Sequence, residues 1–263
     1  MRLLRDLLTF AVCGLLFVVL APLAALWPAL AWRNRLSLVA GRAWSRAALW
    51  IWGIRVRYAG LENLRHPAIL TFNHTAICDF FVLAALAGDR CLVFGKRELA
   101  RIPFLGWGWL LGGHPMIRRE DRAHWQAELD RVERLLRDAG YSACIAPEGS
   151  RNRTGELLPF KKGVAHLAVG AGLPIVPVVI EGGAAVMTGR RPVPGELRVR
   201  VLPAVDTSAW SAERVDEHLA ALRELYQDAL RAPGGGGPPR SQPLKPPPGD
   251  ARAGPAPAAR LPH

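Results

Sequence analysis

The chain has 263 residues, half of them hydrophobic, which is enough for one sizeable core with appendages. Its formal net charge of +12 predicts an anionic partner, and both nucleic acid and an anionic lipid surface satisfy that charge. The cysteines are scattered along the sequence at Cys13, Cys78, Cys91 and Cys144, which excludes a CxxC pair and metal-ligand spacing. This usage is typical of reduced, mostly buried thiols in a chain that faces a reducing compartment.

The N-terminal segment contains a long uncharged run, residues 7–32. A helix of that length would measure about 39 Å, more than the roughly 30 Å of a bilayer's hydrocarbon core. Pro22 and Pro28 would kink or break such a helix. A tilted single span, a hairpin returning to the same side and a signal peptide are all compatible with the run. Basic residues flank both of its ends, which favours both ends lying in the cytoplasm. We expect residues 1–52 to be a membrane-anchoring helical segment.

Within that segment, residues 36–52 place tryptophans beside arginines. This combination suits the lipid headgroup zone, where aromatic rings and long cations settle. A core helix of the soluble domain is equally compatible with the same pattern.

Residues 53–231 show the alternation of strands and helices that is typical of an α/β domain. The predicted strands are 68–72, 91–94, 142–146, 174–180 and 197–201, and the predicted helices are 81–86, 123–140, 164–171 and 211–231. Residues 232–263 are rich in Pro, Gly and Ala and almost free of large apolar side chains. Such a composition is too poor to fold, so we expect a disordered tail.

A histidine and an aspartate follow the first buried strand of this domain. His74 comes at the predicted strand end, and Asp79 lies where the next helix begins. In α/β proteins chemistry is usually found where strands open into helices. A carboxylate beside an imidazole fixes its tautomer and raises its basicity, which a general base requires. Such a pair also arises by chance in a chain of this composition, so the surrounding sequence motifs are needed to indicate whether it is functional.

Four sequence motifs fall at strand ends within one α/β unit. They are NHTAICD at 73–79, GHPMIRR at 113–119, PEGSR at 147–151 and IVPVVI at 175–180. In order and spacing they resemble the glycerolipid acyltransferases, the 1-acylglycerol-3-phosphate acyltransferase family, whose blocks run NHxxxxD, GxxxxxR, FPEGTRS and a VP-containing strand. The resemblance covers roughly residues 57–181. It implies a mixed, mostly parallel sheet flanked by helices. The departures are small, with Ala146 in place of the family's Phe and Ser150 in place of its Thr.

Acyl transfer from a thioester to a hydroxyl requires a base, because a free hydroxyl is a poor nucleophile. His74 is the natural base and Asp79 its orienting partner. A phosphate on the acceptor requires cations, and backbone donors near Gly149 are candidates for stabilising the oxyanion. The candidate substrate-binding residues are Arg119, Glu148, Gly149, Ser150, Arg151, Lys96 and Lys161. Glu148 is expected either to hold Arg151 or to bind an acceptor hydroxyl. His114 and His166 are expected to be structural, the latter packed in the core.

The resemblance implies an enzyme that moves a fatty acyl chain from acyl-CoA or acyl carrier protein to the sn-2 hydroxyl of lysophosphatidic acid, giving phosphatidic acid in phospholipid biosynthesis. It implies no metal and no cofactor. We expect the chain at the cell membrane, with the active site facing the cytoplasm and an anionic membrane surface as partner. Another lysolipid acceptor, such as a lyso-ornithine lipid, and a non-catalytic anionic-lipid-binding protein are the alternatives. Nucleic acid is not expected, because the basic residues are dispersed among apolar runs.

Overall fold

The computed structural model describes residues 2–26, 29–118, 121–151, 157–189 and 191–232. The helices are α1 (Arg2–Leu26), α2 (Leu30–Trp52), α3 (Asp79–Leu86), α4 (Leu105–Leu111), α5 (Arg122–Ala139), α6 (Gly163–Ala171) and α7 (Val215–Arg231). The strands are β1 (Ile54–Ala59), β2 (Ile69–Phe72), β3 (Cys91–Val93), β4 (Gly95–Lys96), β5 (Met116–Ile117), β6 (Ser142–Ile145), β7 (Ile175–Glu181), β8 (Met187–Thr188), β9 (Arg191–Pro192) and β10 (Gly195–Val201). Short 3₁₀ helices cover Leu61–Asn63 and Arg97–Arg101. The predicted disordered tail lies outside the described residues, apart from Ala232.

The main sheet has six strands in the order β1-β10-β7-β2-β6-β3. Among the described residues of this sheet, only β10 and β7 pair in antiparallel fashion, and the other neighbouring strands are parallel. The expected mixed, mostly parallel sheet is therefore confirmed. Strands β2 and β6 are buried along their whole length, which explains why their sequences are continuous apolar runs rather than alternating ones. Because β2, β6 and β7 are mutually parallel, their carboxyl ends lie at the same edge of the sheet.

Helices cover both faces of the sheet. Side chains of α2 and α3 pack with one face, and side chains of α5, α6 and α7 pack with the other. Helix α5 shows how the sequence produces this layering, since Leu129, Val132 and Leu136 recur at helical spacing and are all buried. Asp121 caps its first turn by accepting a hydrogen bond from the backbone N–H of His124 at 2.9 Å.

The first two helices form an antiparallel hairpin. Trp44 Nε1 donates to the carbonyl of Thr9 at 2.9 Å, and Trp32 Nε1 donates to the carbonyl of Leu23 at 3.1 Å. Within α1 the stretch Leu3–Ala24 has a mean hydropathy of 2.6, and it is long and apolar enough to cross a membrane by length and composition. Only 22% of the most apolar part of this stretch is buried in the protein, so most of the helix presents apolar side chains outward.

Helix α2 is part of the hydrophobic core on one face of the sheet. Its Leu38, Ala48 and Trp52 are buried in the same hydrophobic cluster as Leu70 of β2 and Phe81 of α3. The buried side of residues 36–52 therefore packs as a core helix, whereas Trp50 is 81% exposed. Along the chain residue 52 divides helix from strand, but in space α2 and the sheet share one hydrophobic core.

Candidate active site

His74 and Asp79 meet at the carboxyl end of β2. His74 follows that strand by two residues, and Asp79 is the first residue of α3. The Nδ1 atom of His74 lies 2.8 Å from Oδ2 of Asp79, and the aspartate side chain is fully buried while that of the histidine is 25% exposed. An ionised carboxylate only accepts hydrogen bonds, so Nδ1 carries the proton. The neutral ring then has its lone pair on Nε2, which is the form that a general base requires.

Two backbone donors hold the Asp79 carboxylate in place. Its Oδ2 also accepts hydrogen bonds from the N–H groups of Thr75 at 2.7 Å and Ala76 at 2.9 Å. The negative charge lies at the N-terminus of α3, where the helix dipole favours an anion. The loop 75–78 thus wraps around the carboxylate and fixes the direction from which it faces His74.

Glu148 binds the backbone of the same histidine from the loop that follows the neighbouring strand, β6. It lies in the loop after β6 and is buried, with Oε1 accepting from the backbone N–H of His74 at 2.9 Å and Oε2 accepting from that of Leu158 at 3.0 Å. Burial raises the pKa of Glu148, and the two N–H donors oppose that shift. Within the described residues no ion pair joins Glu148 to Arg151, although one of the two expected roles was to hold that guanidinium. The carboxylate instead ties the β6 loop to the backbone of the candidate base.

Asn73 fastens the end of β2 to β7. Its Nδ2 donates to the carbonyl of Ile180 at 2.8 Å, and its Oδ1 accepts from the N–H of Ile180 at 2.7 Å. The sequence singles out Asn73 as a motif residue without giving it a role. A side-chain amide can satisfy both the donor and the acceptor of one backbone residue, which suits the point where a strand ladder ends.

The loop after β6 gathers several candidate substrate-binding residues. Gly149 has φ +66°, in the left-handed region that favours glycine. The backbone N–H of Lys161 donates to the carbonyl of Pro147 at 2.7 Å. The side chain of Lys161 also lies close to Gly149, since a Cβ on Gly149 would be 3.4 Å from Cγ of Lys161. Ser150 is half-buried and Arg151 exposed in the turn that follows. Lys161 thus lies against this loop although ten or more residues separate them along the chain.

Lys96 lies beside the second motif. It ends β4, whose pairing with β5 places Lys96 opposite Ile117, and its side chain is exposed. Arg119, expected to bind phosphate, comes two residues after Ile117 and lies outside the described residues.

His114 lies inside the second motif but is locked into the structure. Its Nδ1 accepts from the N–H of Val93 at 3.2 Å, and Nε2 lies 3.0 Å from Oγ of Ser37, which itself donates to the carbonyl of Asn34. Burial, aided by the charge of Arg131, lowers the pKa of His114 to about 3. The ring is therefore neutral, with both nitrogens engaged, as a structural role requires.

His166 does not lie where it was expected. It is exposed on α6, and the expectation of a packed core histidine is wrong. The helix buries Val164, Ala165, Leu167 and Ala168. In a helix with 3.6 residues per turn, His166 points away from the side that these residues bury and therefore faces solvent.

An apolar cavity of about 100 Å³ lies between the first four helices. Its walls include Leu16 and Phe17 of α1, Gly41 of α2, Phe80 and Leu83 of α3 and Gly108 of α4. Phe80 directly follows Asp79, so the same helix that carries the buried carboxylate also forms one wall of the cavity. In the described part of the chain, no group of three or more His, Cys, Asp or Glu residues is arranged to hold a metal ion.

Together these contacts give a site for general-base chemistry, with an imidazole that is oriented through Nδ1 and is 25% exposed. The helix that begins at Asp79 also forms one wall of the apolar cavity. A family model described as Acyltransferase matches residues 55–181. The chain is 33% identical to the 1-acyl-sn-glycerol-3-phosphate acyltransferase of Limnanthes douglasii, over 86% of this chain and 79% of that protein. It is 32% identical to the human enzyme named 1-acyl-sn-glycerol-3-phosphate acyltransferase alpha, over 72% of this chain and 73% of that protein.

A solved structure has the same fold. It is that of the 1-acyl-sn-glycerophosphate (LPA) acyltransferase PlsC from Thermotoga maritima, with a TM-score of 0.66 at 20% identity, covering 89% of this chain and all of that one. The chain therefore belongs to the acyltransferase family that includes the 1-acyl-sn-glycerol-3-phosphate acyltransferases. The resemblance drawn from the four motifs is confirmed.

Proposed function

We propose that this chain transfers a fatty acyl group from a thioester donor, acyl-CoA or acyl carrier protein, to the sn-2 hydroxyl of lysophosphatidic acid, giving phosphatidic acid. The observation that carries the proposal is the 2.8 Å contact between His74 Nδ1 and the buried carboxylate of Asp79, in a member of this family. A protein that only binds lipid does not need a base held in one tautomer by a desolvated carboxylate. Relatives named 1-acyl-sn-glycerol-3-phosphate acyltransferase support the acceptor.

The chemistry follows from the second ring nitrogen of His74. Nε2 removes the proton of the acceptor hydroxyl as its oxygen attacks the thioester carbonyl, forming a tetrahedral intermediate. Asp79 stabilises the imidazolium that results. Collapse of the intermediate breaks the carbon–sulfur bond, and the departing thiolate takes the proton back from His74. The ester is formed and the base is regenerated.

We assign the phosphate of the acceptor to basic side chains near the β6 loop and the second motif. Arg151 and Lys161 accompany the loop that holds Glu148, and Lys96 lies beside the segment that leads to Arg119. Planar guanidinium groups bind phosphate oxygens in pairs, which makes Arg119 and Arg151 the stronger candidates. Gly149 and Ser150 are the proposed sources of donors to the reacting oxygens.

The apolar cavity is the proposed site of the acyl chain. Its lining is almost entirely hydrocarbon and aromatic, and it adjoins the helix that starts at Asp79. Burying the chain there removes apolar surface from water, worth about 0.8 kcal/mol per methylene.

The apolar α1 indicates association with a membrane. We propose that residues 1–52 anchor the protein, that residues 53–231 carry the reaction and that the active site faces the cytoplasm, where thioester donors are made. Because α1 and α2 form an antiparallel hairpin, an anchor confined to one side of the bilayer fits the packing better than a single span.

The test is acyl transfer by the purified, detergent-solubilised full chain. Labelled oleoyl-CoA is offered with a panel of lysolipids that includes lysophosphatidic acid, and His74→Ala is compared with wild type. His166→Ala is the matched control, since this histidine is exposed on α6. Product with lysophosphatidic acid that is lost in His74→Ala and kept in His166→Ala is the expected result.

Other outcomes redirect the proposal. Product from a different lysolipid only would keep the mechanism and change the acceptor. If oleoyl-CoA gives no product, the same panel of lysolipids is tested with acylated acyl carrier protein as the donor. Failure of both donors, with lipid binding retained, would leave a non-catalytic lipid-binding protein.

A further inference from the structure

Helix α4 exposes large apolar side chains although it is built into the domain. Trp107 is 47% exposed and Leu110 is 55% exposed, and Ile102 just before the helix is also exposed. The opposite side of the helix buries Gly106 and Trp109. Several large apolar side chains exposed on one short segment indicate contact with a partner or a membrane rather than with water.

Aromatic contacts join this exposed surface to α1. The ring of Phe104 lies 5.8 Å from those of both Phe10 and Phe17, and Phe17 lies 5.5 Å from Trp107. Gly14 makes room for the contact, since a Cβ there would lie 3.1 Å from the Phe104 ring. Phe104 itself has φ +62°, a strained conformation for a bulky residue that its packing against α1 holds in place. The two helices therefore present their outer sides together.

The outer side of α1 is apolar over its whole length. Its exposed large hydrophobic residues are Leu3, Leu4, Leu7, Leu8, Phe10, Leu15, Val18, Val19, Leu23 and Leu26. Beside α4, the 3₁₀ helix Arg97–Arg101 exposes Arg97 and Arg101 with Glu98 between them. An apolar surface bordered by exposed arginines fits a bilayer. The apolar side chains would contact lipid hydrocarbon, and the arginines would contact anionic headgroups.

We propose that Ile102, Trp107 and Leu110 form a second membrane-contacting element, the α4 patch, which enters the acyl-chain layer of the leaflet alongside α1. The occupant of this surface is phospholipid hydrocarbon. Continuity with α1 through the Phe10–Phe17–Phe104–Trp107 contacts carries the inference, because α1 cannot enter a leaflet without bringing α4 to the same surface.

Contact of α4 with lipid has a consequence for substrate delivery, which rests on the proposed function. The sides of α1 and α4 opposite the lipid line the apolar cavity through Leu16, Phe17, Leu105 and Gly108. An acyl chain passing between these two helices would move from leaflet to cavity without crossing water. Membrane contact itself is independent of catalysis and is tested separately.

The experiment labels the full chain at Leu110→Cys with an NBD fluorophore. The native cysteines are all buried, which restricts labelling to the new thiol. The protein is reconstituted into vesicles of equal parts phosphatidylcholine and phosphatidylglycerol, with or without bromine on the lipid acyl chains. Val18→Cys on α1 is the membrane reference, and Ala127→Cys, exposed on α5 at the opposite face of the sheet, is the aqueous reference. Ile102→Cys repeats the measurement should Leu110→Cys fold poorly.

The expected result is a blue-shifted emission at residue 110 that brominated lipid quenches as it does at residue 18, with no quenching at residue 127. Quenching at residue 18 alone would overturn the proposal, and so would the absence of quenching at both. A blue shift at residue 110 without bromine quenching would place protein, such as a second copy, over α4 and would also overturn it. None of these readings depends on enzymatic activity, so failure of the proposed function remains distinguishable.

Discussion

The backbone N–H of His74 donates to Oε1 of Glu148 at 2.9 Å, so the candidate base is held from two sides by two carboxylates. Asp79 faces its ring and Glu148 faces its main chain. The two acids have different tasks because their partners differ. One orients an imidazole, and the other joins the loops that follow β2 and β6, since its first oxygen accepts from His74. Its second oxygen accepts from Leu158 and so holds a third segment of the chain.

Glu148→Gln is expected to lower both stability and turnover. The amide keeps one acceptor but points an NH₂ group at a backbone donor, leaving a buried N–H unsatisfied at about 1–3 kcal/mol. Thermal unfolding in detergent and kcat are measured beside Glu224→Gln, a change at an exposed glutamate of α7. A loss of kcat with unchanged melting temperature would contradict the structural role and indicate direct contact with substrate.

Asp79→Asn is expected to reduce kcat by about 10²- to 10⁴-fold with little change in KM, because the amide no longer enforces the tautomer that leaves Nε2 free. Steady-state kinetics with lysophosphatidic acid check this. Asp130→Asn, at an exposed position of α5, is the matched control and should behave as wild type. If Asp79→Asn retained full activity, His74 would not be acting as a base that needs Asp79.

Gly41→Leu is expected to restrict the acyl donors that the protein accepts. A Cβ at this position meets nothing within 4 Å, and Gly41 lines the apolar cavity, so the new side chain enters empty space. Folding should be preserved, because most residues favour a helix interior by up to about 1 kcal/mol relative to glycine. We expect kcat/KM to fall for hexadecanoyl-CoA more than for octanoyl-CoA, while Gly41→Ala changes neither. Equal effects on both donors would contradict the assignment of the cavity as the acyl-chain site.

His114 is expected to make the protein less stable in acid. Its pKa is about 3 when folded and ordinarily about 6.5, so below pH 6.5 the unfolded chain binds a proton that the folded chain does not. Stability is therefore lost as the pH falls from 6.5 toward 3, by about 2 kcal/mol at pH 5. Melting temperatures of wild type and His114→Gln are compared across this range. His66 and His218, whose pKa values are also lowered, act equally in both proteins. Parallel curves would contradict the assignment.

The sequence predicts the local features of this fold well. The strand before His74 and the amphipathic α5 are visible as an apolar run and a 3.6-residue repeat, because each depends on one segment alone. The His74–Asp79 contact is likewise within one loop. The spacing of the motif is sufficient to suggest it.

Contacts between distant segments were not predictable in the same way. The approach of Lys161 to Gly149 joins positions twelve residues apart along the chain, and the role of Glu148 depends on the backbone that follows a different strand. The cavity is built from four helices, each of which looks like an ordinary apolar segment by itself. Periodicity indicates which side of a helix is apolar but not which neighbour covers it.

Because α2 shares its hydrophobic core with β2 and α3, shortening the chain is not a route to a water-soluble enzyme. Cleavage at residue 52 would strip Leu38, Ala48 and Leu49 from the face of the sheet that they cover and would leave Phe81 in water. The remainder would be expected to aggregate even in the absence of any membrane. The proposed membrane anchor and part of the hydrophobic core of the α/β domain thus belong to the same pair of helices.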